Sequence, residues 1–292
     1  MSNTWAPGQD GIGYQALRLW AKIDSEGLCY LTNRLITQGL PKELKTGKVV
    51  VIGKPGKKDM SNPKSYRCIS LLSNVAKLTE KAVAQYLTLE GEVHGWWHPY
   101  QFGSRPGRNT TDALMWLKAV VEKHRKENMN TALIMTDVAA AFPGTRPSTV
   151  LRTLAPLVDP KIYRWILDWL SDRSIALSVD GIQSPQQSSR CGIPQGSPLS
   201  PVRFGLACAA TLKGLPSGAS YVDDCSWAIP FSSPQQLQRD SHRLLDAVKD
   251  RFEMHGLSLD TGKLEVAFIS RDRKSTRLNS SHSIASRMPS SA

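Results

Sequence analysis

Cysteine is scarce and poorly placed for cross-linking: Cys29, Cys68, Cys191, Cys208 and Cys225 make an odd number and contain no C-x-x-C pair. That pattern indicates neither a disulfide framework nor a zinc cage. It predicts a reducing, intracellular setting, with nucleus and cytoplasm both open. Long apolar runs are missing too. No stretch reaches the roughly 18 residues of a membrane span, and the first residues hold no signal-peptide core, so a soluble protein is expected. There is no internal repeat. Acidic residues are few beside basic ones, 25 against 37, and the resulting charge of +12 suits a polyanionic partner without naming it. His94 and His98 stand four apart, but Gly95 and Pro99 predict a loop there rather than a helical metal pair.

What is present begins with Tyr221-Val222-Asp223-Asp224. Two adjacent carboxylates repel each other unless a cation offsets them. Their flanks, Ala219 to Val222 and Cys225 to Ile229, are small, β-branched or aromatic, which predicts the tip of a β-hairpin. Asp137 closes the apolar run Ala132-Leu133-Ile134-Met135 and is far enough upstream to lie on a neighbouring strand. Three carboxylates from two strand ends suit a pair of Mg²⁺ ions clamping the attacking and leaving oxygens of a phosphoryl transfer. The positive charge is concentrated elsewhere. Residues 42–81 carry ten Lys or Arg, including Lys45, Lys54, Lys57, Lys58, Arg67 and Lys77, against three acids. A solvated face and a phosphate-facing lobe both fit that run.

The remaining periodicities predict mixed secondary structure. Thr111 or Asp112 is expected to cap a helix to about Lys126, with Ala113, Leu114, Leu117, Val120 and Val121 on one face. Helices are predicted near Ser148–Leu157 and Lys161–Leu170, then a strand Ile175–Val179 closing at Asp180-Gly181. A helix after Pro198, the acidic hairpin, a helix from about Pro234 to Met254 and a last strand Val266–Ile269 follow. Helices mixed with an antiparallel hairpin argue for an α+β fold.

Several segments in family order resemble the reverse transcriptases of non-LTR, LINE-like retrotransposons over roughly residues 5–270. They are Ala6 to Ile12; Lys54-Pro55-Gly56-Lys57-Lys58 with Ser65 to Leu72; Gln101 to Arg108 ending in Thr111 to Leu114; Asp137-Val138-Ala139-Ala140-Ala141-Phe142; Gly192 to Pro201; the Tyr-Val-Asp-Asp box; and His255 to Leu259 with Lys263. The resemblance implies a right-hand polymerase: an antiparallel palm sheet with helices and fingers built mainly from residues before Gln101; because the sequence stops near the last palm strand, the thumb is expected to be missing. The expected layout is an N-terminal segment over 1–30, fingers and palm over 31–270, and a tail over 271–292. That tail is Ser-rich and basic, predicts disorder, and looks like translated adapter sequence rather than a native terminus.

The implied reaction is RNA-directed DNA synthesis, in which a primer 3′-hydroxyl attacks a dNTP under two-metal catalysis. RNA template, DNA primer and dNTPs are the implied partners, and Mg²⁺, with Mn²⁺ as substitute, the implied cofactor. The resemblance assigns metal binding to Asp137, Asp223, Asp224 and the Val138 carbonyl, triphosphate binding to Lys54 and Arg67, and the nucleotide pocket to Gln195 and Gly196. It implies that Lys263 protonates the leaving pyrophosphate and that the ring of Phe142 rejects a ribose 2′-hydroxyl; the residue readings of a strand-edge Lys and a core Phe stay open beside these. Two other functions stay open: an inactive element remnant that only binds nucleic acid, and a group II intron maturase.

Overall fold

The computed structural model describes residues 6–56, 58–139, 144–179, 181–189, 192–215 and 218–272. Lys57 and Phe142 lie outside them, as does the tail beyond Asp272. In chain order the elements are α1 (Tyr14–Ile23), α2 (Ser25–Gln38), β1 (Thr46–Gly53), β2 (Tyr66–Leu71), α3 (Asn74–Val93), α4 (Thr110–Lys126) and β3 (Asn130–Asp137). They continue as α5 (Pro147–Leu154), α6 (Pro160–Leu170), β4 (Ser174–Val179), β5 (Ile182–Gln183), β6 (Gln187–Ser188) and α7 (Leu199–Leu212). The last are β7 (Gly218–Tyr221), β8 (Asp224–Phe231), α8 (Pro234–Met254) and β9 (Glu265–Ile269). The fold is α+β. It divides into two compact units, each drawn from two separate stretches: residues 1–90 with 142–203, and residues 91–141 with 204–292.

The first unit is built on a sheet of order β2-β1-β4-β5, with β6 also paired to β4. β1 and β2 form an antiparallel ribbon, whereas β1 and β4 run parallel with Thr46 opposite Ser174. Its core gathers Leu28, Leu35, Leu72, Leu87, Trp165 and Ile166, all buried. The Trp165 indole N–H donates to the Leu35 carbonyl at 3.0 Å, so a large apolar ring is buried without an orphaned donor. Lys45 is buried here and pairs with Asp168 at 2.7 Å, and Lys77 is buried as well. These two members of the basic run are held inside the fold, so neither a solvated face nor a phosphate-facing lobe accounts for them.

The second unit carries an all-antiparallel sheet of order β7-β8-β3-β9. Ala132 and Ile134 on β3 are fully buried. α8 lies against β8 and buries Leu244, Val248 and Phe252 at helical spacing. Ser233 caps it by accepting the Gln236 N–H, and Pro234 takes the first-turn position where no N–H is needed. α4 also rests on the sheet, burying Val121 and His124, whose Nδ1 is 2.9 Å from the Thr131 hydroxyl. Two expectations about α4 change. Its cap is Asn109, with Asp112 returning the bond in a reciprocal capping box. Leu114 is exposed, and the buried residues of the helix, Val121 and His124, lie two to three turns further on. His94 and His98 lie in a loop, as Gly95 and Pro99 predicted.

Candidate active site

Asp137 is the last residue of β3 and Asp224 the first of β8, and the antiparallel register sets them directly opposite each other. Side chains directly opposite on one face have Cβ atoms about 5 Å apart, so this register brings two carboxylates to one sheet end. Asp223 follows in the two-residue turn Val222-Asp223 that joins β7 to β8, and its carbonyl accepts the Val138 N–H at 3.3 Å. The chain just past Asp137 is held from the other side as well. Asp260 N–H donates to the Asp137 carbonyl at 2.8 Å, Ala139 N–H donates to the Ser258 carbonyl at 2.8 Å, and Val138 bridges Leu259.

The turn is strained. Val222 has φ 59°, a left-handed conformation that a β-branched residue rarely adopts. Such strain persists only where surrounding structure over-determines it. The segment Tyr100–Gly103 does so: Phe102 N–H donates to Ser220 O at 2.9 Å, and Ser220 N–H donates to Tyr100 O at 3.0 Å. Gly103 lies so close behind the turn that a Cβ there would sit 2.3 Å from the Val222 nitrogen. Sequence reasoning singled out the Gln101–Arg108 motif without assigning it this buttressing role. Arg105 of the same motif is also structural, forking onto Glu92 at 2.5 and 2.7 Å and donating to the His98 carbonyl.

Burial, then the neighbouring Asp223 and Asp137, raise the Asp224 carboxyl above its ordinary range. The Lys263 ammonium sits on Asp137 in a short ion pair, with Asp260 further off at 3.9 Å. That hydrogen bond raises the Lys263 pKa and keeps the amine charged. Among the described residues no three His, Cys, Asp or Glu side chains are gathered as a ready-made metal cage. Mg²⁺ does not require one. It keeps several waters and is typically bound through one or two carboxylates plus substrate phosphates. The hard oxygens of Asp137, Asp223 and Asp224 are the right donor class, their mutual repulsion is relieved by a cation, and Lys263 already supplies one. The donor class therefore fits a hard divalent cation such as Mg²⁺.

The first unit collects the other candidates. Lys54 N–H donates to the Ser65 carbonyl at 2.8 Å, which extends the β1–β2 ladder by one pair. Arg67, opposite Ile52, is two residues from Ser65, so Lys54 and Arg67 lie on one face of the ribbon. Gln195 accepts the Ser70 N–H at 2.7 Å, covering the outer edge of β2. Gly196 has φ 131°, and a Cβ there would meet the Ser70 carbonyl oxygen at 2.3 Å, so only glycine fits.

An antiparallel sheet that presents acids from neighbouring strand ends, backed by helices, defines a palm-like domain of the polymerase type. Residues 52–283 match the family described as "Reverse transcriptase (RNA-dependent DNA polymerase)", and the chain belongs to that family. It is 26% identical over 88% of its length to the "RNA-directed DNA polymerase from mobile element jockey" of Drosophila funebris, covering 29% of that protein. Similar likenesses run to the "Retrovirus-related Pol polyprotein from type-1 retrotransposable element R2" of Popillia japonica (26% identical, 88% of this chain, 36% of the relative) and the type-2 R2DM polyprotein of Drosophila melanogaster (25%, 88% and 24%). These are proteins of non-LTR retrotransposons, the kin that the sequence motifs implied. The chain spans about a quarter to a third of the length of these curated relatives. Among the described residues no helix is long and apolar enough to cross a membrane.

Proposed function

We propose that this chain carries the catalytic core of an RNA-directed DNA polymerase, joining the α-phosphate of a dNTP to a primer 3′-hydroxyl against an RNA template. The observation that supports this best is the register of β3 and β8, which opposes Asp137 and Asp224 beside the Asp223 turn. Asp137, Asp223 and Asp224, with the Val138 carbonyl next to Asp137, are the residues proposed to hold two Mg²⁺ ions. When bound, the ions supply a lowered pKa at the 3′-hydroxyl and offset charge on the departing pyrophosphate. The new bond is 3′-O to α-phosphorus, with the 3′-hydroxyl proton passing to water; the bond broken is that from α-phosphorus to the bridging oxygen, which leaves with the pyrophosphate.

Lys263 is proposed to deliver a proton to that leaving group, and its ion pair with Asp137 keeps it protonated beforehand. Lys54 and Arg67 share one face of the β1–β2 ribbon and present the cationic donors that steady a triphosphate. Gln195 and Gly196 line the nucleotide pocket in this reading, and Phe142 excludes the 2′-hydroxyl. The test is primer extension on an RNA template with Mg²⁺ and dNTPs. Extension by the wild type and its loss, by at least ~10³-fold, in Asp223→Asn and Asp224→Asn is expected, equivalent to about 4 kcal/mol of barrier. Nucleic-acid binding without any extension would instead identify a non-catalytic binder.

A further inference from the structure

Glu80 in α3 is fully buried, which is rare for a glutamate unless it is paired. Both of its oxygens are taken. Oε1 accepts the Trp169 indole N–H at 2.7 Å, and Oε2 accepts the Ser197 hydroxyl at 2.5 Å. Two guanidiniums lie over the same indole, with the Arg203 and Arg173 carbons 5.0 and 5.1 Å from its centroid. Arg173 donates to the Trp169 carbonyl at 3.1 Å. Arg203 is 2% exposed, and none of its three nitrogens has a hydrogen-bond partner among the described residues. Burial accordingly pulls Arg203 down to about 9, and Glu80 is the first charge that opposes the fall.

The polar cluster meets the loop that enters α7. Ser197 receives the Leu199 N–H at 3.1 Å on the same hydroxyl that it donates to Glu80. The Pro194 carbonyl accepts the Ser197 N–H at 3.2 Å and the Ser200 hydroxyl at 2.9 Å. Gln195 and Gly196, between these fixed points, press on the Ser70 peptide of β2. The loop is thus gripped on the β2 side through its backbone and on the α3 side through one hydroxyl.

We propose that Glu80, acting through the Ser197 hydroxyl, is a positioning residue that sets the Pro194–Ser197 loop for the incoming nucleotide. Glu80 touches no substrate. Both of its oxygens accept hydrogen bonds, so a carboxylate, the strongest acceptor available to a serine hydroxyl, stands behind the loop. The proposal rests on the reading that Gln195 and Gly196 line the nucleotide pocket.

The experiment uses Ser197→Ala, which removes one oxygen, and Glu80→Gln, which keeps the shape and loses the charge; Leu87→Val serves as a core-weakening comparison. Amide hydrogen exchange is followed at Ser70, whose N–H points at Gln195, and at Ile69, whose N–H faces β1 in the alternating ladder. Ser197→Ala should speed exchange at Ser70 by tenfold or more while leaving Ile69 within twofold. In primer extension it should raise the dNTP KM several-fold with kcat within about twofold, and Glu80→Gln should do the same if it folds. Leu87→Val should move neither ratio. Unchanged Ser70 exchange in Ser197→Ala, or a parallel rise at both amides, would overturn the proposal. Exchange decides it even if the wild type extends no primer, an outcome that would remove the polymerase reading alone.

Discussion

Replacing Gly103 by Ala tests whether the acidic turn is held in place from behind. A Cβ at this position would stand 2.3 Å from the Val222 nitrogen, 2.7 Å from its Cγ2 and 2.9 Å from the Tyr221 carbonyl carbon. Two of those three atoms are backbone, so no rotamer change relieves them. Opening the closest contact to 3.0 Å moves the turn by ~0.7 Å, and overpacking of this kind costs about 1–3 kcal/mol. A loss of that size corresponds to a fall in Tm of roughly 3–10 °C. Displacement of a reacting group by about 1 Å lowers rates by up to ~10²-fold, so kcat for primer extension should drop ten- to a hundredfold. Gly13→Ala is the control, since nothing lies within 4 Å of it and its φ of −71° is ordinary; as the N-cap of α1 it should lose about 1 kcal/mol of stability while kcat stays unchanged. Adding Val222→Gly to Gly103→Ala removes the Cγ2 contact and relieves the left-handed strain, and should recover part of the forfeited stability. Wild-type kcat and Tm in Gly103→Ala would refute the claim that Tyr100–Gly103 sets the turn.

Other outcomes follow from the same geometry. Mg²⁺ at ten times its dissociation constant should stabilise the wild type by ~1.4 kcal/mol; Asp224→Asn should lose that gain, read as the Tm difference with and without EDTA. His124 is held below its ordinary pKa, chiefly by burial, so the native state binds fewer protons than the unfolded chain. Stability should therefore be full above about pH 6.5 and fall as pH drops below it, with a shallower fall in His124→Gln when denaturant melts are compared; His98, also lowered by burial, accounts for part of the residual slope. If Lys54, Lys58 and Arg67 neutralise phosphates, the triple Ala variant should flatten the log-affinity against log-salt slope for single-stranded RNA by about 0.7 for each phosphate left without its cation. Phe142→Ala should raise ribonucleotide incorporation, each tenfold gain marking ~1.4 kcal/mol of relieved clash; equal rejection by both proteins would return Phe142 to the core.

The acidic hairpin was legible because its signals are local. Alternating small and apolar residues around Asp223 and Asp224 announce two strands and a tight turn, and the run before Asp137 announces a third. The 3.6-residue apolar spacing after Pro234 likewise places α8, and the structure adds Ser233 as its cap. The parallel pairing of β1 with β4 was not legible. Thr46 and Ser174 meet across more than a hundred residues, and no turn or spacing near either one encodes the partner. The same holds for Glu80, which sequence alone counts as one more surface acid, although a buried Trp and a serine hydroxyl consume both its oxygens. Leu114 failed for a subtler reason: periodicity gives the apolar stripe of α4 but not which end of it the sheet covers.

The interleaving of the two units has a consequence for biosynthesis. β3 is a central strand, flanked by β8 and β9, yet both partners follow it in the chain. Asp137 leaves the ribosome 87 residues before Asp224 (224 − 137), which at about 5–20 residues per second is a wait of roughly 4–17 s. During that interval β3 has two open edges and an apolar face with no sheet to join, while the intervening residues 142–203 complete the other unit. Nascent chains paused between Leu199 and Gly218 should then be the species that chaperones hold and that aggregates form from, with the finished carboxylate pair appearing only once β8 has docked.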